Sequence, residues 1–146
     1  MTLTFIGKTN GGDNLNKIKA TAFELGLTNN EVIFENEIDD VSQKIFEYDL
    51  GILSSKSEGL SNALIEYMAA GLPVVCTNIP PNMEVVGEEN INFTFEIGGE
   101  EQLKSLIQQF YENRQLAKIT GAKNNQRVSQ LFSFENYKSK IKDFTN

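Results

Sequence analysis

The chain has 146 residues, enough for one domain with a real core, and its 40% hydrophobic and 23% charged content is ordinary for a globular protein. A net charge of −7 with no basic stripe excludes a non-specific nucleic-acid binder. The absence of histidine and the single cysteine exclude a zinc site, a histidine-based triad and an intrachain disulfide, and no apolar run is long enough to span a membrane.

Leu3-Thr4-Phe5-Ile6-Gly7 reads as a short buried strand, and Lys8 to Asn14 as a polar, glycine-containing loop. Leu15, Ile18, Ala22, Phe23 and Leu25 then recur near helical spacing, with Gly26 as the stop. Glu31-Val32-Ile33-Phe34 is a second strand. Asp39 or Asp40 can cap a helix carrying Val41, Ile45 and Phe46 on one face. Asp49 to Ser54 forms a third strand and delivers the loop Ser54-Ser55-Lys56-Ser57-Glu58-Gly59. A helix of about three turns follows, ending at Ala70-Gly71. Pro73 to Thr77 is the next strand, with buried Cys76 filling its end. After Pro80-Pro81 a short turn or helix covers Met83 to Val86, and the alternation of Ile91-Asn92-Phe93-Thr94-Phe95 reads as a last strand. From Gly99 the chain is helical: Leu103, Leu106, Ile107 and Phe110 make one stripe, a second helix runs from about Asn113 to Leu131, and a closing helix carries Tyr137, Ile141 and Phe144.

This alternation predicts an α/β fold, a Rossmann-like parallel sheet flanked by helices on both faces. Such sheets take ligands at the carboxyl ends of their strands. The loops after Gly7, Phe34, Ser54 and Thr77 are expected along that edge.

The stretch from Glu58 to Val75 carries the chemistry. Between Gly59 and Met83 only Glu66 is charged, and it falls inside the central helix, which is otherwise apolar or small on nearly every face. Such a helix is expected to be buried on most sides, and an unpaired buried carboxylate is costly. A ligand, a distant arginine or an outward-facing position would each resolve that cost. The first helical N–H groups, near Leu60, Ser61 and Asn62, lack partners within the helix and favour an anion. An anion cradle between two carboxylates suits a nucleoside diphosphate sugar: donors for the diphosphate, acceptors for the ribose diol and the sugar hydroxyls.

Ser55-x-x-Glu58-Gly59 followed by Glu66-x-Met68-Ala69-x-Gly71-x-Pro73-Val74-Val75 closely resembles the signature of GT-B glycosyltransferases, in particular the retaining group 1 (family 4) set. The resemblance is strongest over residues 47–87 and extends more weakly along almost the whole chain. It implies transfer of a sugar from a nucleotide diphosphate sugar to an acceptor hydroxyl, with retention at the anomeric carbon. UDP is the foremost donor nucleotide, with GDP and ADP as alternatives. By resemblance, Glu66 accepts from the ribose hydroxyls, and Glu58 faces the donor sugar and counts as the catalytic residue. The backbone of Gly59, Leu60 and Ser61 meets the diphosphate. The segment from Glu35 to Ile38 borders the base. Glu84 matches an acidic position of the family and equally suits a helix cap, since Pro80-Pro81 stand where glycines are common. No Asp-x-Asp metal motif occurs, and neither metal nor cofactor is expected.

The resemblance also has gaps. Such enzymes pair two Rossmann-like domains, and the C-terminal one opens with a strand and helix bearing an Arg and a Lys that clamp the diphosphate. This chain matches from the second strand onward. Lys8 and Lys56 do not occupy the places of that pair. The expectation is an N-terminally truncated donor-binding domain spanning 1–146, with a helical segment from about 99 to 146. Its acceptor domain would be absent, its isolated activity slight, and a dimer could form through uncovered apolar surface. The closing helix at Phe134–Phe144 resembles one that crosses back to the acceptor domain in intact members. The expected location is cytoplasmic, peripheral to the inner membrane face in the intact enzyme, with no transmembrane segment and no nucleic-acid partner.

Three rival readings stand beside this one. A hydrolase with Glu58 and Glu66 as acid and base fits poorly, because Glu66 lies inside a helix beside an anion site. A flavodoxin-like receiver is rejected, because Gly7-Lys8 and Ser54-Ser55 stand where its acidic residues belong. A non-catalytic nucleotide-binding or protein-interaction domain of the same fold is the alternative.

Overall fold

The structure, a computed structural model, describes residues 1–6, 13–35 and 44–132. They fall into two compact units, Met1–Val41 and Ser42–Asn146. The Asp39/Asp40 cap and the closing helix at Phe134–Phe144 lie outside the described residues.

In the first unit β1 (Leu3–Ile6) pairs in parallel with β2 (Val32–Glu35), with Leu3 opposite Val32 and Ile6 opposite Glu35. Between them runs α1 (Asp13–Glu24). It ends as the sequence indicates. Gly26 takes φ +70°, its N–H donates to the Phe23 carbonyl at 2.9 Å, and the Leu27 N–H reaches the Ala22 carbonyl at 3.0 Å. That paired closure needs the left-handed conformation glycine adopts without strain. The rings of Phe5 and Phe34 stack with centroids 5.3 Å apart. Of the apolar residues at helical spacing, Leu15 and Ala22 are half-buried, whereas Ile18, Phe23 and Leu25 are exposed, Phe23 at 85%. Helical spacing sets the element but not what covers it. Val32 is the one buried hydrophobic among the described residues of this unit.

The second unit holds β3 (Gly51–Leu53), α2 (Asn62–Ala69), β4 (Val74–Thr77), α3 (Pro80–Val86), a 3-10 helix (Glu88–Phe93), β5 (Thr94–Phe95), α4 (Glu100–Glu112) and α5 (Arg114–Leu131). The strands are parallel in the order β3-β4-β5. β4 is central and buried throughout, and its alternate residues serve two cores. Val74 and Cys76 join Leu64 and Met68 of α2, Val85 and Val86 of α3, and Val128 of α5. Val75 joins Phe95, Leu106 and Phe110 with Phe93, Leu103 and Leu116. The sheet is thus covered on both faces, as a parallel sheet requires.

Two expectations are corrected. The central helix has 8 residues rather than three turns, because the chain stays irregular through Ser61. Ile91–Phe93, expected in a strand, lie in the 3-10 helix, leaving only Thr94 and Phe95 as β5. Asn90 anchors the change: buried within the 3-10 helix, its Nδ2 donates to the Val86 carbonyl at 2.8 Å and to Asn124 Oδ1 at 3.1 Å. That anchor holds the chain in a coil where simple alternation would run straight.

Candidate functional site

The loop after β3 and the turn after β4 leave the carboxyl ends of two adjacent parallel strands. A connected set of side chains lies there. Ser55 Oγ donates to Glu58 Oε1 at 2.5 Å, so the short loop folds over its own carboxylate. The Ser55 carbonyl accepts from Thr77 Oγ1 at 2.6 Å. Asn82 Nδ2 donates to the Thr77 carbonyl at 2.9 Å and to Thr77 Oγ1 at 3.0 Å. Ser61 Oγ donates to Asn82 Oδ1 at 2.5 Å. Ser61, Thr77 and Asn82 are buried, whereas Glu58 and Ser55 are half-buried.

This seam changes what Ser61 does. It occupies the N-cap of α2 but makes no side-chain cap; its hydroxyl instead turns to donate to Asn82. Capping side chains ordinarily occupy the first helical N–H groups. Here the Asn62 N–H turns back to the Leu60 carbonyl at 2.9 Å, which corrects the expectation that it is free for an anion. Gly59 and Leu60 are exposed at the mouth of the loop, and a Cβ built on Gly59 would meet no atom within 4 Å.

Glu66 departs from its expected setting. It projects from the exposed face of α2, while Leu64 and Met68 enter the core. Residues two apart on a helix point to nearly opposite sides. The carboxylate therefore meets solvent, and Glu66 bears no cost of a buried unpaired charge. Its charge is felt by the neighbouring Tyr67 hydroxyl, which is held above its ordinary value chiefly by burial and secondly by Glu66.

Glu84 is exposed on α3, and its carbonyl rather than its carboxylate is engaged, accepting from Arg127 Nη2 at 3.1 Å. Arg127 also donates to the Val85 carbonyl at 2.7 Å and to Glu89 at 3.1 Å, closing the end of α3. Of the segment expected to border the base only Glu35 is described, and it is half-buried; Lys8 also lies outside the described residues. Among the described residues no cluster of acidic or cysteine side chains could hold a metal ion. Sequence reading missed Asn82, Thr77 and the part played by the Ser61 side chain. Their partners are 21 and 22 residues away in sequence, so no local spacing reveals them.

Parallel sheets flanked by helices, with a glutamate-bearing loop at the strand ends, define a Rossmann-like architecture of the GT-B type. The model of the glycosyl transferases group 1 family matches residues 1–127, and the chain belongs to that family. It is 26% identical to an uncharacterized glycosyltransferase of Methanocaldococcus jannaschii over 119 residues, 82% of this chain and 34% of that protein. Anabaena HepE, crystallised with UDP and glucose, superposes with a TM-score of 0.89 at 24% identity, over 99% of this chain and 40% of HepE. Sucrose-phosphate synthase from Thermosynechococcus elongatus superposes with a TM-score of 0.89 at 21% identity, over 99% of this chain and 37% of the synthase. The chain thus spans well under half the length of these relatives.

Proposed function

We propose that this chain is the donor-binding part of a glycosyltransferase that moves a sugar from a nucleotide diphosphate sugar to an acceptor hydroxyl with retention. The observation that carries the reading is the Ser55–Glu58 hydrogen bond at the carboxyl end of β3, beside an α2 N-terminus free of side-chain capping. Glu58 meets the donor sugar there, and the backbone of Gly59, Leu60 and Ser61 takes the diphosphate. Exposed Glu66 is open to the ribose hydroxyls, since no ion pair among the described residues engages it. The protein contributes by stabilising the departing diphosphate electrostatically and by orienting both substrates. UDP is the first choice of nucleotide, with GDP and ADP as competitors; HepE has been crystallised with UDP and with UDP-glucose. The reading places the protein in the cytoplasm, and no described helix is long and apolar enough to cross a membrane. Acceptor contacts are assigned to a separate domain, so these residues alone should turn over little substrate.

Titration with UDP, GDP and ADP, followed by amide NMR, tests this. One nucleotide should shift Gly59 to Asn62, and Glu66→Ala should weaken it by about tenfold, the value of hydrogen bonds to a charged acceptor. A folded chain that binds none of the three at about 1 mM would overturn the reading. So would rapid sugar transfer by this chain alone, for the assignment of acceptor contacts elsewhere.

A further inference from the structure

The seam from Ser61 to Glu58 has a polarity forced from one end. The Ser55 carbonyl can only accept, so the Thr77 hydroxyl proton points at it. That hydroxyl must then accept from Asn82 Nδ2, which turns the amide nitrogen toward β4 and leaves Oδ1 facing α2. Ser61 has one proton, and Asn82 Oδ1 receives it. Each proton has a single place, and no buried side-chain nitrogen or oxygen among the described residues lacks a partner. Buried networks satisfied in this way hold one geometry, because any rearrangement strands a polar group.

We propose that Asn82 and Thr77 are positioning residues of the donor site. They touch no substrate. They lock the Ser55–Glu58 loop to the end of β4 and to the first turn of α2, so that Glu58 and the anion-facing backbone keep a fixed separation. A corollary concerns Ser61: its hydroxyl proton is committed to Asn82, so the diphosphate is met by backbone N–H groups and not by this hydroxyl. The consequence for binding rests on the donor-site reading; the hold on Glu58 does not.

The test separates the two. The side-chain carboxyl-carbon NMR signal of Glu58 is measured at pH 7 in the wild type and in Ser55→Ala, Thr77→Val, Thr77→Ser and Asn82→Ala, alongside UDP affinity. Ser55→Ala marks the signal of a Glu58 that has lost its partner. Thr77→Val and Asn82→Ala should move the signal toward that position, whereas Thr77→Ser, which keeps the hydroxyl, should restore the wild-type signal. UDP binding should weaken about fivefold in Thr77→Val and recover in Thr77→Ser, as expected for one lost hydrogen bond. Thr77→Val preserves shape, so it decides the matter even where Asn82→Ala fails to fold. An unmoved Glu58 signal in folded Thr77→Val overturns the proposal. A moved signal with unchanged UDP affinity overturns its bearing on binding. A moved signal in a protein whose wild type binds no UDP supports the hold on Glu58 while the donor-site reading fails.

Discussion

Cys76 lies at the carboxyl half of β4 with no exposed surface, and burial pushes its thiol from 9.0 up to about 12. Tyr67 moves the same way for the same first cause. Both groups keep their protons in the folded state at a pH where the unfolded chain releases them. The Cys76 contribution is complete below pH 9 and is lost as pH rises toward 12, and Tyr67 adds a fall of the same sign above its ordinary value of 10.0. The melting temperature should therefore fall across that window, and Cys76→Ala should flatten the fall, while lowering stability at neutral pH through the cavity it leaves. Thermal melts at intervals of pH read both effects, and a slope unchanged in the variant would remove Cys76 from the account. The native thiol should also resist a thiol-selective reagent at pH 8 until denaturant is added. Cys76 could be placed from sequence because a lone cysteine within an apolar run has one sensible environment. Glu66 could not. Its charge marked it as exceptional, but whether α2 turns it inward or outward depends on which side the core occupies, and that is decided by β4 and α5.

α5 shows how an element far along the chain shapes the site. Its buried Gly121 lies against the Gly71 carbonyl at the turn between α2 and β4, where an added Cβ would collide with that backbone oxygen. About one turn on, Asn124 Nδ2 donates to the Leu72 carbonyl at 2.8 Å, and Asn125 Nδ2 donates to the Ala69 carbonyl at 2.6 Å. These contacts fasten the carboxyl end of α2, and the turn itself closes on Gly71 at φ +78°. Alanine in a free helix stabilises relative to glycine by up to about 1 kcal/mol. Here the steric conflict involves backbone on both sides and cannot be relieved by a rotamer. Gly121→Ala should thus destabilise by about 1–3 kcal/mol, measured by urea unfolding. A gain would show that α5 and the turn separate readily. Arg127→Met should lose about 1–2 kcal/mol in the same assay, because it frees the Glu84 and Val85 carbonyls that the guanidinium now closes. The helical stripe of α4 and the extent of α5 were legible, since 3.6-residue periodicity and terminal signals are local. The 3-10 helix at Glu88–Phe93 was not, because alternation at Ile91 to Phe95 imitates a strand and the opposing instruction comes from Asn90 through a partner 34 residues away.

At the scale of the molecule, the two units differ in how much they bury. The second has two cores meeting on opposite faces of β4, whereas the described part of the first has two paired strands and one buried hydrophobic, Val32. Isolated two-stranded pairing is marginal in water, and opening free energies follow local burial. Amide exchange should accordingly be slowest at Val75 to Thr77 and at least about tenfold faster at Thr4 to Ile6, by hydrogen–deuterium exchange at neutral pH. Equal protection in β1 and β4 would show that the first unit draws stability from contacts its described residues do not display. The fold class was open to sequence reading because strand and helix alternate and the Glu58–Val75 stretch carries a long, specific pattern. The distribution of stability was not, since it depends on which apolar stripes find partners, and α1 exposes Phe23 and Leu25. That division bears on the site. The seam, Glu58 and the start of α2 all belong to the well-buried unit, so their geometry should persist when β1 and β2 open. UDP should then slow exchange at Gly59 to Asn62 directly and leave Val75 unchanged; slowing confined to β1 and β2 would instead place the nucleotide's main contacts on the first unit.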